Sequence, residues 1–490
     1  MLRSSLAARG ESRVARRSAR SRCKESDGAT AEAAFVAAEH GATSSTPQRE
    51  GARSRSSDFH HGLPGWILLL AFASGSAVAT AAQGNVLVVG PGGFSQIQDA
   101  VLAAQDGDTI LVRTGVGNPV YNAIDVAGKA LTIAADRSSG FARVQGLRVR
   151  NVQAGKTVVL SRLRVESLSG FSAPRILLQN NAGSARFVSC ESRSVAAYGA
   201  HLPAALRIES CSGSTALAAC TLVGGDATYR DIKYPPTAGG AGLEVEDATA
   251  AVYDSTITGG AGGLFYPIFF PFYQPARGGT GASVVRDALP SRLLLSNSSV
   301  QGGRGSELGF CYHVPSPSGA GGNGLAVGAG ATAALHASTF VGGESGAFPP
   351  CGTAGTPGAP ILNSGTLHSN PTSALELTTP TVAREGQTIT LTIEGVPGDQ
   401  VNLAAGLQTA FRELMDGVLL VRPGPSSLSP LRGHLGTIGP SGIFTVPYTL
   451  PQLPAGTGAL NLWFQALARH TDGRRTLGSF SVVTVLDSAY

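Results

Sequence analysis

The strongest constraint on this chain is a repeat with a fixed internal plan. "PRILLQNNAGSARFVSC" (174–190) lies over "AALRIESCSGSTALAAC" (204–220) at an offset of 30, with Gly183 over Gly213 and Cys190 over Cys220. Upstream, "GLRVRNVQAGKTVVLSRL" and "NAIDVAGKALTIAA" keep the plan, so turn glycines fall at 128, 155, 183 and 213. Downstream a refrain returns as "ACTLVGG" (219–225), "DSTITGG" (254–260), "NSSVQGG" (297–303) and "ASTFVGG" (337–343). A period of about 20–50 residues built from short alternating segments is the signature of a solenoid. Strands this short cannot stand alone; stacked, they bury inward Val, Ile and Leu in one continuous core. The expectation is a parallel β-helix of about eight or nine coils, equivalent residues ~4.8 Å apart, with glycine serving the sharp corners through positive φ. A β-propeller of like period is the alternative, but it needs more strands per blade than these repeats hold.

Composition agrees with an all-β chain. Glycine makes up 65 of 490 residues, only 14% are charged, and there are two Met and two Trp. Abundant Gly, Ser, Thr, Ala and Val without a long amphipathic run points to strands and turns. The formal charge of +5 is local: residues 1–60 hold eleven Lys/Arg and seven Asp/Glu, a net of +4, leaving about +1 for the rest. Nucleic-acid binding needs a basic stripe on the folded part, so nucleic acid is not expected as a partner.

Residues 1–60, rich in Arg, Ser and Ala, cannot bury enough surface to order themselves and read as a disordered leader. Residues 61–82 carry the apolar run "WILLLAFA" and then small residues, which reads as a signal peptide ending at Ala-Thr-Ala or Thr-Ala-Ala. The run is too short for a comfortable membrane span, and a buried strand is the alternative. The long preamble suggests a misplaced start codon or an unusual leader. Secretion or a cell-envelope location is expected, with no integral span after signal removal.

At the front, "GPGGFSQIQDAVLAAQDGDTILV" spaces Phe94, Ile97, Val101 and Leu102 as on a helix and then turns to a strand, as a helix capping the first coil would. "GGFSQIQDAVLAAQDGDTILVRTG…YNAIDVAGKALTI" resembles the opening of right-handed parallel β-helix proteins of the pectin-lyase-like superfamily, and the resemblance runs over about 85–370. It implies that fold for 83–370. It leaves function open, because the superfamily holds lyases, glycoside hydrolases, esterases, epimerases, adhesins and inert stalks. Residues 371–490 alternate apolar and polar with turn signals at "REGQ" and "VPGD" and read as a small antiparallel β-sandwich. That part is similar to C-terminal modules of some exported bacterial proteins, which implies capping, spacing or attachment; a monomer is expected.

Chemistry is sparse. Members of the superfamily that hydrolyse polygalacturonate carry Asn-Thr-Asp, Asp-Asp, Gly-His-Gly and Arg-Ile-Lys elements, of which only "RDIK" (230–233) has an echo here. No GxSxG, HExxH or P-loop pattern places a nucleophile, metal or phosphate. No cofactor is expected. Calcium is the one ion that the acidic residues Asp226, Asp231, Glu244, Glu246, Asp247 and Asp254 raise, and it would need six to eight converging oxygens; ordinary solvated strand edges are the alternative.

The segments after each Gly-Gly carry more signal. They leave the repeat at one point and should emerge as a row on one side. Tyr229 and Tyr234 fall in the first, Phe265, Tyr266, Phe270 and Tyr273 in the second, and Tyr312 in the third. Arg230, Arg277 and Arg304 stand among them. Aromatic faces with charged neighbours suit a polysaccharide or cell-surface polymer; rings packed on one another to anchor the loops are the alternative. Were the site catalytic, Asp231, Lys233, Glu307 and His313 would be its acid and base candidates. Cys311 and Cys351 lie in adjacent loops of the row and are the favoured disulfide. Cys190 and Cys220 are a second pair, since one rung's rise fits disulfide Cα separations, with a stacked unbonded ladder as the alternative.

Overall fold

The structure, a computed structural model, describes residues 84–113, 118–136, 140–166, 175–194, 202–227, 237–263, 275–307, 317–347, 352–370, 373–414, 417–422 and 434–490. The chain divides into two compact units, and these residues all belong to the second, Ala77–Tyr490. The expected leader and signal peptide therefore lie outside the described residues.

The unit is nearly all strand. Three ladders of parallel strands run through residues 86–370. The first begins Val86–Val89, Thr109–Val112, Thr132–Ala135, Thr157–Ser161 and Ser184–Val188. It continues through the second halves of two long bent strands, Leu206–Ala218 and Leu243–Tyr253, to Arg292–Ser296, Thr332–His336 and Thr366–Asn370. The second holds Ile124–Ala127, Leu147–Arg150 and Ile176–Gln179, the first halves of the bent strands, then Ala282–Val285, Leu325–Val327 and Ile361–Asn363. The third runs from Val120–Tyr121 through the refrain strands Thr221–Val223, Thr256–Thr258, Ser299–Gln301 and Thr339–Val341. Ala185 faces Thr215, the offset of 30 that the sequence repeats. Parallel ladders around a single core are compatible with a β-helix.

Alternation sets which side chains turn inward. Val149, Leu178, Ile208 and Val245 occupy one column across successive strands and none is more than 1% exposed. Burying each such side chain contributes roughly 1.5–3 kcal/mol. The front is covered by the helix Ile97–Ala103, which buries Ile97, Ala100 and Val101. Leu102 points the other way and is 69% exposed, so it does not share the capping face expected from its spacing.

The corners differ from the expectation that glycine makes them. Two columns of left-handed residues do so: Asn151, Asn180, Ser210 and Asp247 at one bend, with φ between 49° and 56°, and Arg162, Ser189, Ala219, Asp254, Asn297 and Ala337 at the other, with φ between 44° and 56°. A single such residue turns the strand, and short polar side chains tolerate the region best. Among the turn glycines, Gly128 and Gly155 do have positive φ. Gly183 and Gly213 do not; there a Cβ would overlap the carbonyl oxygens of Gln153 and Gly183.

Residues 376–486 form a three-stranded sheet (Glu376–Thr378, Thr388–Glu394, Ile443–Thr449) against a five-stranded one (Val382–Arg384, Gln400–Gly406, His434–Thr437, Ala459–Arg469, Arg475–Leu486). Pairing is antiparallel except for the Val382–Arg384 edge, and Leu391, Ile393, Phe464 and Val483 meet in the core between them. A hairpin, Gln408–Leu414 and Gly417–Arg422, projects from this sandwich. The sandwich lies along the flank of the stack. Its Trp463, Phe480 and Val482 share a hydrophobic core with Val159, Val188, Ala216, Ala251 and Tyr253, which face outward from the first ladder.

Candidate functional site

The loop row rests on a scaffold of glycine. Each loop leaves along one glycine-rich stem (224–227, 259–263, 302–306, 342–346) and returns along another (239–242, 278–281, 319–324, 355–360). A hydrogen-bond zigzag ties all of them together. Gly240 N–H donates to Gly225 O, Gly260 to Gly240, Gly279 to Gly260, Gly303 to Gly279, Gly322 to Gly303, Gly343 to Gly322 and Gly358 to Gly343, at 2.7–2.8 Å.

Within each layer the bonds repeat every third residue. Gly259 donates to Gln301 O and Gly262 to Arg304 O in the outgoing layer; Gly278 donates to Ala320 O and Gly281 to Asn323 O in the returning one. Three residues per turn is the period of a polyproline-II helix. None of these stem glycines has positive φ. They are glycine because a Cβ on Gly260, Gly279, Gly303, Gly322, Gly343 or Gly358 would overlap a carbonyl oxygen of the preceding stem in its own layer. The third residue of each turn points outward, which exposes Asp226, Arg304, Glu307 and Glu344 on the outgoing layer.

This geometry sorts the expected site residues. Arg304 and Glu307 form an ion pair on the outgoing layer. Arg277 belongs to the returning layer, where its guanidinium donates to Gly321 O and Asn323 Oδ1, each at 3.2 Å. With Glu244 it lines a shallow cavity of about 300 Å³. Arg277 and Arg304 are thus carried on different layers, whose backbones meet where Ser306 N–H donates to Ala276 O at 3.0 Å. Tyr229, Arg230, Asp231, Lys233, Tyr234, Phe265, Tyr266, Phe270, Tyr273, Tyr312 and His313, with Cys311 and Cys351, lie outside the described residues.

The acidic residues are dispersed. Asp247 accepts from the backbone N–H groups of Asp287, Ala288 and Leu289 at 2.9–3.0 Å, which holds its carboxyl below the usual range. Glu209 and Glu246 lie 2.8 and 2.7 Å from the Arg207 guanidinium, with Glu244 at 4.0 Å; burial pushes the Glu244 carboxyl up. Asp226 accepts from Ala261 N–H at 2.7 Å. Among the described residues no three His, Cys, Asp or Glu side chains converge as cation ligands. Cys190 and Cys220 are buried free thiols, so the disulfide considered for that pair is not present in this structure; Cys211 is a third buried free thiol.

Asp254, the first residue of "DSTITGG", is not an ordinary edge residue. It sits at the bend beneath the sandwich, accepts from Asn297 Nδ2 at 2.7 Å and is hydrogen-bonded by Ser479. Burial and the nearby Glu376 push its carboxyl up to about 7. Burial and Glu394 likewise raise Glu376. Sequence spacing gives no sign of this, because the sandwich residues that cover Asp254 are far along the chain. A further network joins His470 to Asp399 and Thr476, each at 2.7 Å. It has the order of a nucleophile–base–acid relay, but Thr476 is 2% exposed and Asp399 3%, so it fastens two turns of the sandwich and offers no reachable hydroxyl.

No protein-family model matches the sequence, and no curated protein sequence matches it. Among solved structures, a superoxide reductase (neelaredoxin) from Ignicoccus hospitalis aligns at 8% identity over 23% of this chain and 80% of its own, with a TM-score of 0.14. The A-module of a mannuronan C-5 epimerase from Azotobacter vinelandii aligns at 11% identity over 56% of this chain and 93% of its own, with a TM-score of 0.13. Likenesses this low do not bear on what the chain does.

Proposed function

We propose that the chain is an exported, right-handed parallel β-helix protein of the pectin-lyase-like kind, with about eight or nine coils. In this reading it binds an extended polysaccharide or surface polymer along its loop row. The observation that carries the reading is the glycine zigzag from Gly225 to Gly358. It sets consecutive stems one rung apart, and loops carried on them would offer a ligand with its own repeat the same contact several times, and such contacts multiply. The aromatic residues of 265–273 would stack on sugar faces, and Arg304 with Glu307 would engage hydroxyls at the outgoing edge.

Binding of the full chain to a glycan array, compared with Tyr266→Ala and Arg304→Ala, tests this. Retention of a polymer by the parent and its loss from Tyr266→Ala supports the reading. No retained glycan would leave a structural stalk or adhesin. Cleavage of the retained polymer, lost in Asp231→Asn or Lys233→Met, would replace binding with a lyase or glycosidase activity.

A further inference from the structure

Two cavities, of about 410 and 600 Å³, open on either side of the sandwich hairpin where it overhangs the first ladder. Both are lined by Thr249, Arg292, Phe411 and Glu413, so they are two arms of one groove. Their sizes are those of small-ligand sites. The floor is a line of outward side chains on successive strands: Ser214 faces Thr249, Thr249 faces Arg292, and Arg292 faces Thr332. Hydroxyls thus recur at about the 4.8 Å strand spacing, with one guanidinium among them.

The wall is positioned from within the fold. The strand Gln408–Leu414 carries one extra residue between Thr409 and Arg412 relative to its partner, and a bulge of this kind re-aims a side chain. The bulge is held by Arg186, which is 1% exposed and reaches out from the stack to donate to Ala410 O at 3.3 Å and to Ser214 O at 2.8 Å. Phe411 then lines the groove, partly exposed. At the centre Arg292 and Glu413 form an ion pair at 2.7 Å, each about half exposed. His336 and His368 close one arm; Asp247, already engaged by three backbone donors, closes the other.

We infer that this groove is a second binding site, separate from the loop row, for a neutral oligosaccharide. A pyranose ring offers an apolar face to Phe411 and a line of hydroxyls to Ser214, Thr249 and Thr332. The Arg292–Glu413 pair supplies adjacent donors and acceptors of the kind that vicinal hydroxyls satisfy. Arg186 and Arg292 are matched by Glu413 and Asp247, so the groove carries no net charge that would favour a uronic-acid chain over a neutral one. The inference does not depend on the loop row.

Titrations of the full chain with cello-, xylo- and manno-oligosaccharides, and with oligogalacturonate as the acidic control, test it by calorimetry and saturation-transfer NMR. Expected are binding of at least one neutral series and weakening of about tenfold (1.4 kcal/mol) or more in both Phe411→Ala and Phe411→Leu. Phe411→Leu keeps a large apolar side chain on the hairpin, so its loss of binding at an unchanged melting temperature separates a missing ring from a missing fold. Absence of neutral-sugar binding at millimolar ligand, full affinity in folded Phe411→Leu, or preference for the galacturonate would each overturn it.

Discussion

Tyr253 and Val418 hold each other through a reciprocal pair of hydrogen bonds. The phenol donates to the Val418 carbonyl at 3.1 Å and accepts the Val418 N–H at 3.2 Å. Tyr253 ends a strand of the parallel stack, and Val418 belongs to the hairpin of the sandwich. The ring also packs edge-on against Phe480, 6.5 Å between centroids. Tyr253→Phe keeps that packing but leaves the Val418 N–H without its acceptor, whereas Gln465 still serves the carbonyl. The expected loss is about 1–2 kcal/mol, read as a lower urea midpoint. A larger loss would mean that the phenol supports more than this one joint.

Glycine in the stems is there for close approach. Gly303→Ala puts a Cβ onto the Gly260 carbonyl oxygen and should cost about 1–3 kcal/mol, as overpacking does. Gly155→Ala has open space around it and only a φ of 81° to resist, so its cost should be nearer 1–2 kcal/mol of backbone strain. Hydrogen exchange separates them. In Gly303→Ala the amides of Gly279 and Gly322 should exchange faster, and in Gly155→Ala they should not.

The left-handed corners allow a change in the opposite direction. Ala219 and Ala337 have φ of 53° and 44° and are exposed. Replacing either with glycine relieves strain of about 1–2 kcal/mol against an entropic cost of roughly 0.5–1 kcal/mol. A net gain of up to about 1.5 kcal/mol is expected for each, seen as a higher melting temperature.

The Asp254 carboxyl makes stability depend on pH. Its folded pKa of about 7 lies above the ordinary 3.8, so between those values the folded state holds the extra proton and stability falls as pH rises. Below about pH 4 the penalty vanishes, and above about pH 7 it is fully present. Glu376 is raised as well and adds in the same direction. Asp254→Asn should flatten the slope and, at pH 8, gain on the order of 2–4 kcal/mol, measured by urea denaturation across the pH range.

Strand register is legible in the sequence because a column such as Val149, Leu178, Ile208 and Val245 needs an apolar residue at every rung. Several corners are misread as glycine because Ser189, Ala219, Ala337 and Arg162 give no local sign that a bend forces them left-handed. The stems carry a signal in the three-residue spacing of "GGAGG", "GGTG", "GGRG" and "GGNG", but their partners are backbone atoms of other repeats, which no side chain announces. Arg277 and Arg304 read alike in the sequence, yet Arg277 opens a returning stem and Arg304 lies within an outgoing one. Asp254 and Phe411 gain their surroundings only when the sandwich folds back along the flank.

The most direct test of the loop-row reading is the dependence of affinity on ligand length for the glycan that the array identifies. Four outgoing stems stand one rung apart and span roughly 14 Å at the 4.8 Å strand spacing. Affinity should climb as the oligomer lengthens to that span and then level off, and Gly303→Ala should lose the length dependence while keeping weak single-loop binding. An affinity independent of length, or a folded Gly303→Ala that binds long oligomers as the parent does, would contradict it.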